Sequence, residues 1–265
     1  MPNAPHWLPL ALMVLPLGGC TDATTSDTGA PTDTGPLTAD TADTATVPGW
    51  TDGTHSCEAD RYRPFSVQGW AVCVDSGVFD DEAHGEAVLS LLASDLTTLQ
   101  QLVPAPAADY LRGVRIWVEQ SSDWSGAVYH PSAGWLEDNG YPTYWAESIQ
   151  LANSADYLSW TAIQPAIVLH ELSHAWHHQV LGYDDPQIAD AYAQAMASGR
   201  YDDVAYAGGG TAEAYATTDD REYFAELTEA WFWENDFYPF VREELLTFDP
   251  LGAEVIEASW ARVPD

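Results

Sequence analysis

Ile167-Val168-Leu169-His170-Glu171-Leu172-Ser173-His174-Ala175-Trp176 is the stretch on which the reading of this 265-residue chain turns. Ile167, Val168, Leu169, Leu172, Ala175 and Trp176 place apolar side chains nearly all round a helix, which marks a buried helix rather than a surface one. Pro165 suits a first turn and Gly182 a C-terminal stop, so the helix is predicted from Pro165 to just before Gly182. The spacing His170-x-x-x-His174 stacks two imidazoles one turn apart on one face, an arrangement suited to two Zn²⁺ ligands. Glu171 projects about 100° round from His170, where it reaches a water beside a metal rather than the metal. Two histidines and a glutamate on a buried helix are costly unless paired or metal-bound. The competing reading is a pair of core histidines that are simply hydrogen-bonded.

A catalytic zinc needs a third protein ligand and an open position. A metzincin continuation would put a histidine at position 180, which is Val180. His177 and His178 lie further along the same rigid helix, which cannot bring three successive turns onto one ion, so both are expected outside the ligand set. Downstream, Glu222 and Glu226 stand four apart on one face of a mostly apolar helix. One carboxylate would bind zinc while the other orients a ligand histidine. Asp219-x-x-Glu222 also reads as a capping box, with Glu222 folded back onto the helix start. The ligand role of Glu222 is carried forward, because zinc otherwise lacks its third protein ligand.

His170–His174 followed by Tyr215-x₆-Glu222-Tyr223-Phe224-Ala225-Glu226 resembles the zinc metallopeptidases of the anthrax lethal factor type. The resemblance implies a zincin-like α+β domain in which His170, His174 and Glu222 bind Zn²⁺ and Glu171 is the general base. It further implies that Tyr215 faces the reacting carbonyl and that Glu226 stands behind the ligands. The stretches His170–Gly182 and Glu222–Phe240 are also similar to a group of secreted bacterial proteins described as zinc metallopeptidases, over roughly residues 60 to 262. Tyr129-His130-Pro131-Ser132 and Ser148–Asn153 belong to that likeness too.

The N-terminus reads as an address. Trp7–Gly19 is apolar but too short to span a bilayer, and Leu17-Gly18-Gly19-Cys20 resembles the lipobox of bacterial lipoprotein signal peptides, although His6 is the only basic side chain among the first six residues. The resemblance implies export and acylation of Cys20, giving a lipoprotein signal over residues 1–20; an ordinary secretory signal is the alternative, and it exports the chain equally. Residues 21–55 are Thr/Asp/Ala/Pro-rich and read as a disordered tether, which leaves 56–265 as the folded domain. With Cys20 spent on lipid, Cys57 and Cys73 are expected to form a disulfide; metal ligation by the two is the alternative, though they lack a CxxC spacing.

Forty-one acidic residues face eight basic ones, all arginine, for a formal charge of −33 and a pI near 4.1. Such a field repels phosphate backbones and anionic headgroups, which argues against nucleic acid and leaves the lipid anchor as the membrane contact. The expected partner is a peptide or protein substrate, and the expected state a monomer.

Strands are predicted at Gly69–Val78 and Gly113–Glu119, with a short one at Ser148–Ala152 read either as a substrate-pairing edge or as a plain sheet edge. Helices are predicted at Asp81–Leu102, Pro186–Ser198, Asp220–Asn235, Phe240–Leu245 and Leu251–Arg262. The fold class is therefore α+β, a small mixed sheet packed on helices that include the HExxH helix. His130 reads as a loop residue or a substitute electrophile, and the aromatic run Tyr223–Phe240 as core. A zinc metallopeptidase is the leading function. A zinc-containing surface binding module and a zinc amidase acting on cell-wall peptides are the alternatives.

Overall fold

The computed structural model describes residues 49–124 and 126–263. The predicted signal peptide, Cys20 and the tether up to residue 48 lie outside the described residues. Six strands form one mixed sheet: β1 (Trp50–Asp52), β2 (Tyr62–Val67), β3 (Trp70–Asp75), β4 (Ile116–Val118), β5 (Ala127–His130) and β6 (Ser148–Leu151). Their order is β1-β2-β3-β4-β6-β5. The β3–β4 and β4–β6 pairs are parallel, and the β1–β2, β2–β3 and β5–β6 pairs antiparallel. Two-residue strands β7 (Val204–Ala205) and β8 (Thr211–Ala212) pair separately.

The helices are α1 (Glu82–Leu102), α2 (Ala105–Leu111), α3 (Ala133–Asp138), α4 (Ser154–Trp160), α5 (Ile167–Trp176), α6 (Pro186–Ser198), α7 (Asp220–Phe232), α8 (Arg242–Phe248) and α9 (Pro250–Trp260). The chain is thus a mixed α+β protein. Among the described residues no helix is long and apolar enough to cross a membrane.

Strand alternation sorts the core into two layers. Phe65, Val72, Val74, Ile116, Val118, Tyr129, Ile149 and Leu151 join the helices in one large apolar cluster, while Tyr62, Cys73 and Trp117 face the other way and pack with Cys57, Leu136 and Trp145. The Cys57–Cys73 disulfide, expected from the cysteine count, pins the chain ahead of β2 to β3 on that second face. Every residue of α5 is buried, with Leu169 and Leu172 fully so. Each of those leucines contributes about 2 kcal/mol of burial. The central helix is therefore fixed by its apolar girth.

Several sequence expectations are corrected. Trp50–Asp52 pairs with β2, so the folded unit begins inside the stretch read as tether rather than at residue 56. A short tripeptide strand gives no periodicity to read. Ser148–Leu151 is an interior strand held between β4 and β5, and the sheet edge is β5, which the sequence reading passed over. His130 is therefore a strand residue, not a loop residue. It sits on β5, is buried, hydrogen-bonds Gln150 at 3.0 Å and stacks on Trp145. Burial lowers its pKa to about 4, which keeps it neutral. The helices α2, α3 and α4 were also missed, being too short for a periodic signal to stand out, and so was the six-residue β2, whose run is interrupted by Pro64. The region Gly69–Val78 is strand only to Asp75 and then a single tight turn.

Asp95 of α1 is 5% exposed and accepts a 2.5 Å hydrogen bond from the Tyr157 hydroxyl of α4. Burial raises its pKa from 3.8 to about 6, against the smaller lowering by Tyr157. The native state therefore holds this proton more tightly than the unfolded chain, and stability falls as pH climbs from about 4 to about 6, remaining reduced above. Asp95→Asn keeps an acceptor for Tyr157 without the buried charge. It is expected to stabilise the protein by roughly 1–2 kcal/mol at pH 7.5 and by nothing at pH 3.5, read by thermal unfolding at the two pH values.

Candidate metal centre

The buried α5 lies directly against α7, and their facing side chains meet in a polar cluster. His170 Nε2 is 3.1 Å from Glu222 Oε2, His174 Nε2 is 3.2 Å from the same oxygen, and the two Nε2 atoms are 3.2 Å apart. Four-coordinate zinc with bonds of about 2.0–2.1 Å separates neighbouring ligand atoms by roughly 3.3 Å. The three atoms thus outline one triangular face of a tetrahedron of zinc dimensions, and two imidazoles with one carboxylate are a donor set suited to that ion. Exposure grades from 1% at His170 to 6% at His174 and 8% at Glu222, so the side open to solvent is that of the last two.

Local chemistry explains how α7 presents Glu222. The Asp219 carboxylate accepts from the backbone N–H groups of Arg221 and Glu222 at 2.9 and 3.0 Å, capping the helix start. Only this half of the expected capping box forms. The Glu222 carboxylate turns to the histidines instead of back to the cap. Burial alone would raise its pKa, but His174 and His170 hold it well below the ordinary carboxylate range. In His170, burial favours the neutral ring, and the hydrogen bonds to Glu222 and Glu229 outweigh it, raising the pKa well above 6.5. The pocket is arranged to hold positive charge.

Glu171 is 4% exposed, and burial raises its pKa despite the opposing pull of His170 and His174. Its carboxylate meets the backbone N–H of Tyr129 on β5, so it stands between α5 and the sheet edge. In β5 the Gly126 carbonyl accepts from Ala152 N–H, and antiparallel alternation then turns the backbone groups of Ala127 and Tyr129 to the open edge. Tyr215 opens a one-turn helix at Tyr215–Thr217, and its ring lies 6.3 Å from that of His170. Burial, then the charges of Glu222 and Glu171, push its pKa above the ordinary 10, which keeps the phenol protonated.

After Trp176 the helix widens into a π-turn, His177–Leu181, stopped by Gly182 at φ 83°. His177 packs between Tyr183 and Phe224, and His178 hydrogen-bonds the Tyr129 hydroxyl at 2.9 Å. Both fall outside the ligand cluster, as the helix geometry required. Of the aromatic run, Tyr223, Phe224 and Trp231 are buried core.

The partner of His170 is a correction. Glu226 was expected behind the ligands, but its nearest oxygen is 3.9 Å from His170 Nδ1, while Glu229 Oε1 is 2.6 Å away. Part of the signal was present in the spacing: Glu222, Glu226 and Glu229 share one face of α7, so both later carboxylates were offered to the histidine. Accepting from Nδ1–H leaves Nε2 as the metal-facing nitrogen. Glu229→Gln is expected to weaken metal-ion binding at this group roughly tenfold, read by competition with a chromogenic chelator. Compared with known proteins, the chain matches no family model, no curated protein and no solved structure.

Proposed function

We propose that this chain is a zinc-dependent metallopeptidase with a zincin-like fold. The observation that carries the reading is the triangle of His170 Nε2, His174 Nε2 and Glu222 Oε2 at 3.1–3.2 Å, with a buried Glu171 beside it at a sheet edge. His170, His174 and Glu222 would hold Zn²⁺, which would supply Lewis acidity towards water and a scissile carbonyl. Glu171 takes the proton released by the attacking water and passes it to the departing amine, a task helped by its raised pKa. The protonated Tyr215 phenol donates to the carbonyl oxygen as charge develops there, a contribution of about 3 kcal/mol. The open edge of β5 offers main-chain partners to an extended peptide lying across the site. A pure binding module has no use for the Glu171 base, which favours turnover. Export is supported by the disulfide and by the Cys20 lipobox resemblance, and the acidic surface disfavours acidic substrates.

Digestion of an unstructured protein library by the purified chain, with and without a zinc chelator, tests this function. Chelator-sensitive peptide bond cleavage restored by Zn²⁺ is expected; absence of cleavage by zinc-loaded protein would sink it.

A further inference from the structure

One face of β5, the open edge of the sheet, carries a cleft. Val128 and His130 line it from the strand, Trp124 from the segment before it, and Ser132, Trp135 and Leu136 from the turn and helix that follow. Its enclosed part is about 10 Å³, the room of one water, and the rest opens to solvent. Its walls are rings. Trp124 lies 5.8 Å from Trp135 and 5.1 Å from Tyr141, Trp135 stacks on Tyr141 at 5.9 Å, and Trp124 meets His130 edge-on at 5.5 Å. Trp124, Trp135 and Tyr141 are each partly exposed.

No acidic or basic chain of Asp, Glu or Arg lines the cleft, although the protein carries 41 acidic and 8 basic residues. Burial keeps His130 neutral as well. The indole Nε1–H of Trp124 is buried and meets no hydrogen-bond acceptor, a state that native structures normally relieve with a partner. The cleft thus offers flat apolar faces and one unused donor.

Strand alternation sets the cleft against the candidate metal centre. Tyr129 turns its ring to the α5 face, where its hydroxyl meets His178 at 2.9 Å, while His130 turns to the opposite face and stacks on Trp145. A peptide strand added to the edge of β5 obeys the same alternation. Its side chains point by turns towards the metal centre and towards the cleft.

We propose that the cleft is a specificity subsite, resting on the peptidase reading above, which takes an uncharged aromatic side chain, tyrosine above all, from an extended peptide paired with β5. A shallow wall of rings suits a flat ring laid against it better than a branched chain inserted into it. A phenolic oxygen supplies the acceptor that the Trp124 Nε1–H lacks. A cationic chain also lies well on aromatic faces but brings no acceptor. A sugar ring offers flat faces and acceptors, yet only a peptide runs from the cleft to the metal centre along one strand.

Cleavage of a randomised peptide library by the zinc-loaded full-length protein tests the subsite. Tyrosine and phenylalanine should be enriched at one position relative to the cut and not at the two positions flanking it, the alternation that an added strand imposes. A host peptide with and without a single Tyr at that position then gives a ratio of kcat/KM values. Trp135→Ala should lower that ratio about tenfold or more, chiefly through KM. Trp124→Phe keeps a ring and removes the donor, and should cut the preference for Tyr over Phe about fivefold. It also serves as the second variant should Trp135→Ala not fold. Binding of the two host peptides is measured alongside by titration calorimetry. Cleavage without aromatic preference would overturn the subsite and leave the peptidase reading intact. A ratio unaltered in the folded variants, even where they lose binding to a cell-wall glycan fragment, would do the same. Tighter binding of the Tyr peptide, lost in Trp135→Ala but without any cleavage, would uphold the subsite and sink the peptidase reading. Equal binding of both peptides with no cleavage would overturn both.

Discussion

Glu171→Gln is expected to retain zinc at about one per chain while losing peptide hydrolysis by roughly 10²–10⁴-fold. The side chain touches neither imidazole as a hydrogen-bond partner, and the ligand triangle is complete without it. Glutamine preserves volume and can still accept from the Tyr129 N–H, so packing against β5 survives. What it loses is the basic oxygen. A carboxylate whose burial raises its affinity for protons is a stronger base than one in water, and that advantage vanishes with the amide. The measurement is kcat on a chelator-sensitive peptide, with zinc content taken from the same sample. Full activity with zinc bound would mean that another group takes the proton, and the role given to Glu171 would be wrong.

Replacement of Glu222 acts at the other level. Glu222→Ala should weaken zinc binding on the order of 100-fold or more, leaving dialysed protein nearly metal-free while Glu171→Gln prepared alongside keeps its ion. Glu222 Oε2 meets both histidines, so its removal leaves two candidate ligands on one helix without their partner from α7. The variant should still fold, because Asp219 caps α7 through backbone groups that the substitution leaves in place. Zinc content equal to wild type would instead reduce Glu222 to a hydrogen-bond partner of the histidines.

How much of this could be read before folding depends on the range over which each signal acts. His170, Glu171 and His174 were legible because a four-residue spacing on a helix fixes their common face whatever surrounds it. Glu222 was legible as one of two competing roles. Asp219 does cap the helix, so the local pattern was real, but only the arrival of α5 3.1 Å away decides where the carboxylate points. Glu229 was passed over although it shares that face. Sequence spacing cannot say which of two carboxylates on one stripe lies deeper, and the 2.6 Å contact to Nδ1 belongs to helix packing. Tyr215 was named by resemblance alone; the structure brings its ring to 6.3 Å from His170, a distance set by a turn far from α5 in the chain.

The sheet shows the same division. Val72, Val74, Ile116 and Val118 announce strands by alternation, yet whether Ser148–Leu151 is an edge or an interior strand depends on β5, four residues long and without a periodic signature. Edge status is a statement about which neighbour is missing, and no local pattern encodes that.

The sequence by itself determined the chemistry on offer: the HExxH helix, the glutamate stripe of α7, the cysteine pair and the acidic exterior. Only the tertiary structure decided the assignments, namely that Glu222 meets both histidines, that Glu229 rather than Glu226 holds His170, and that β5 is the open edge beside Glu171. The physical reason is range. Helix periodicity acts over a turn or two, while the candidate metal site joins segments such as those of His170 and Glu222, 52 residues apart, and the sheet edge joins strands such as those of His130 and Gln150, 20 residues apart.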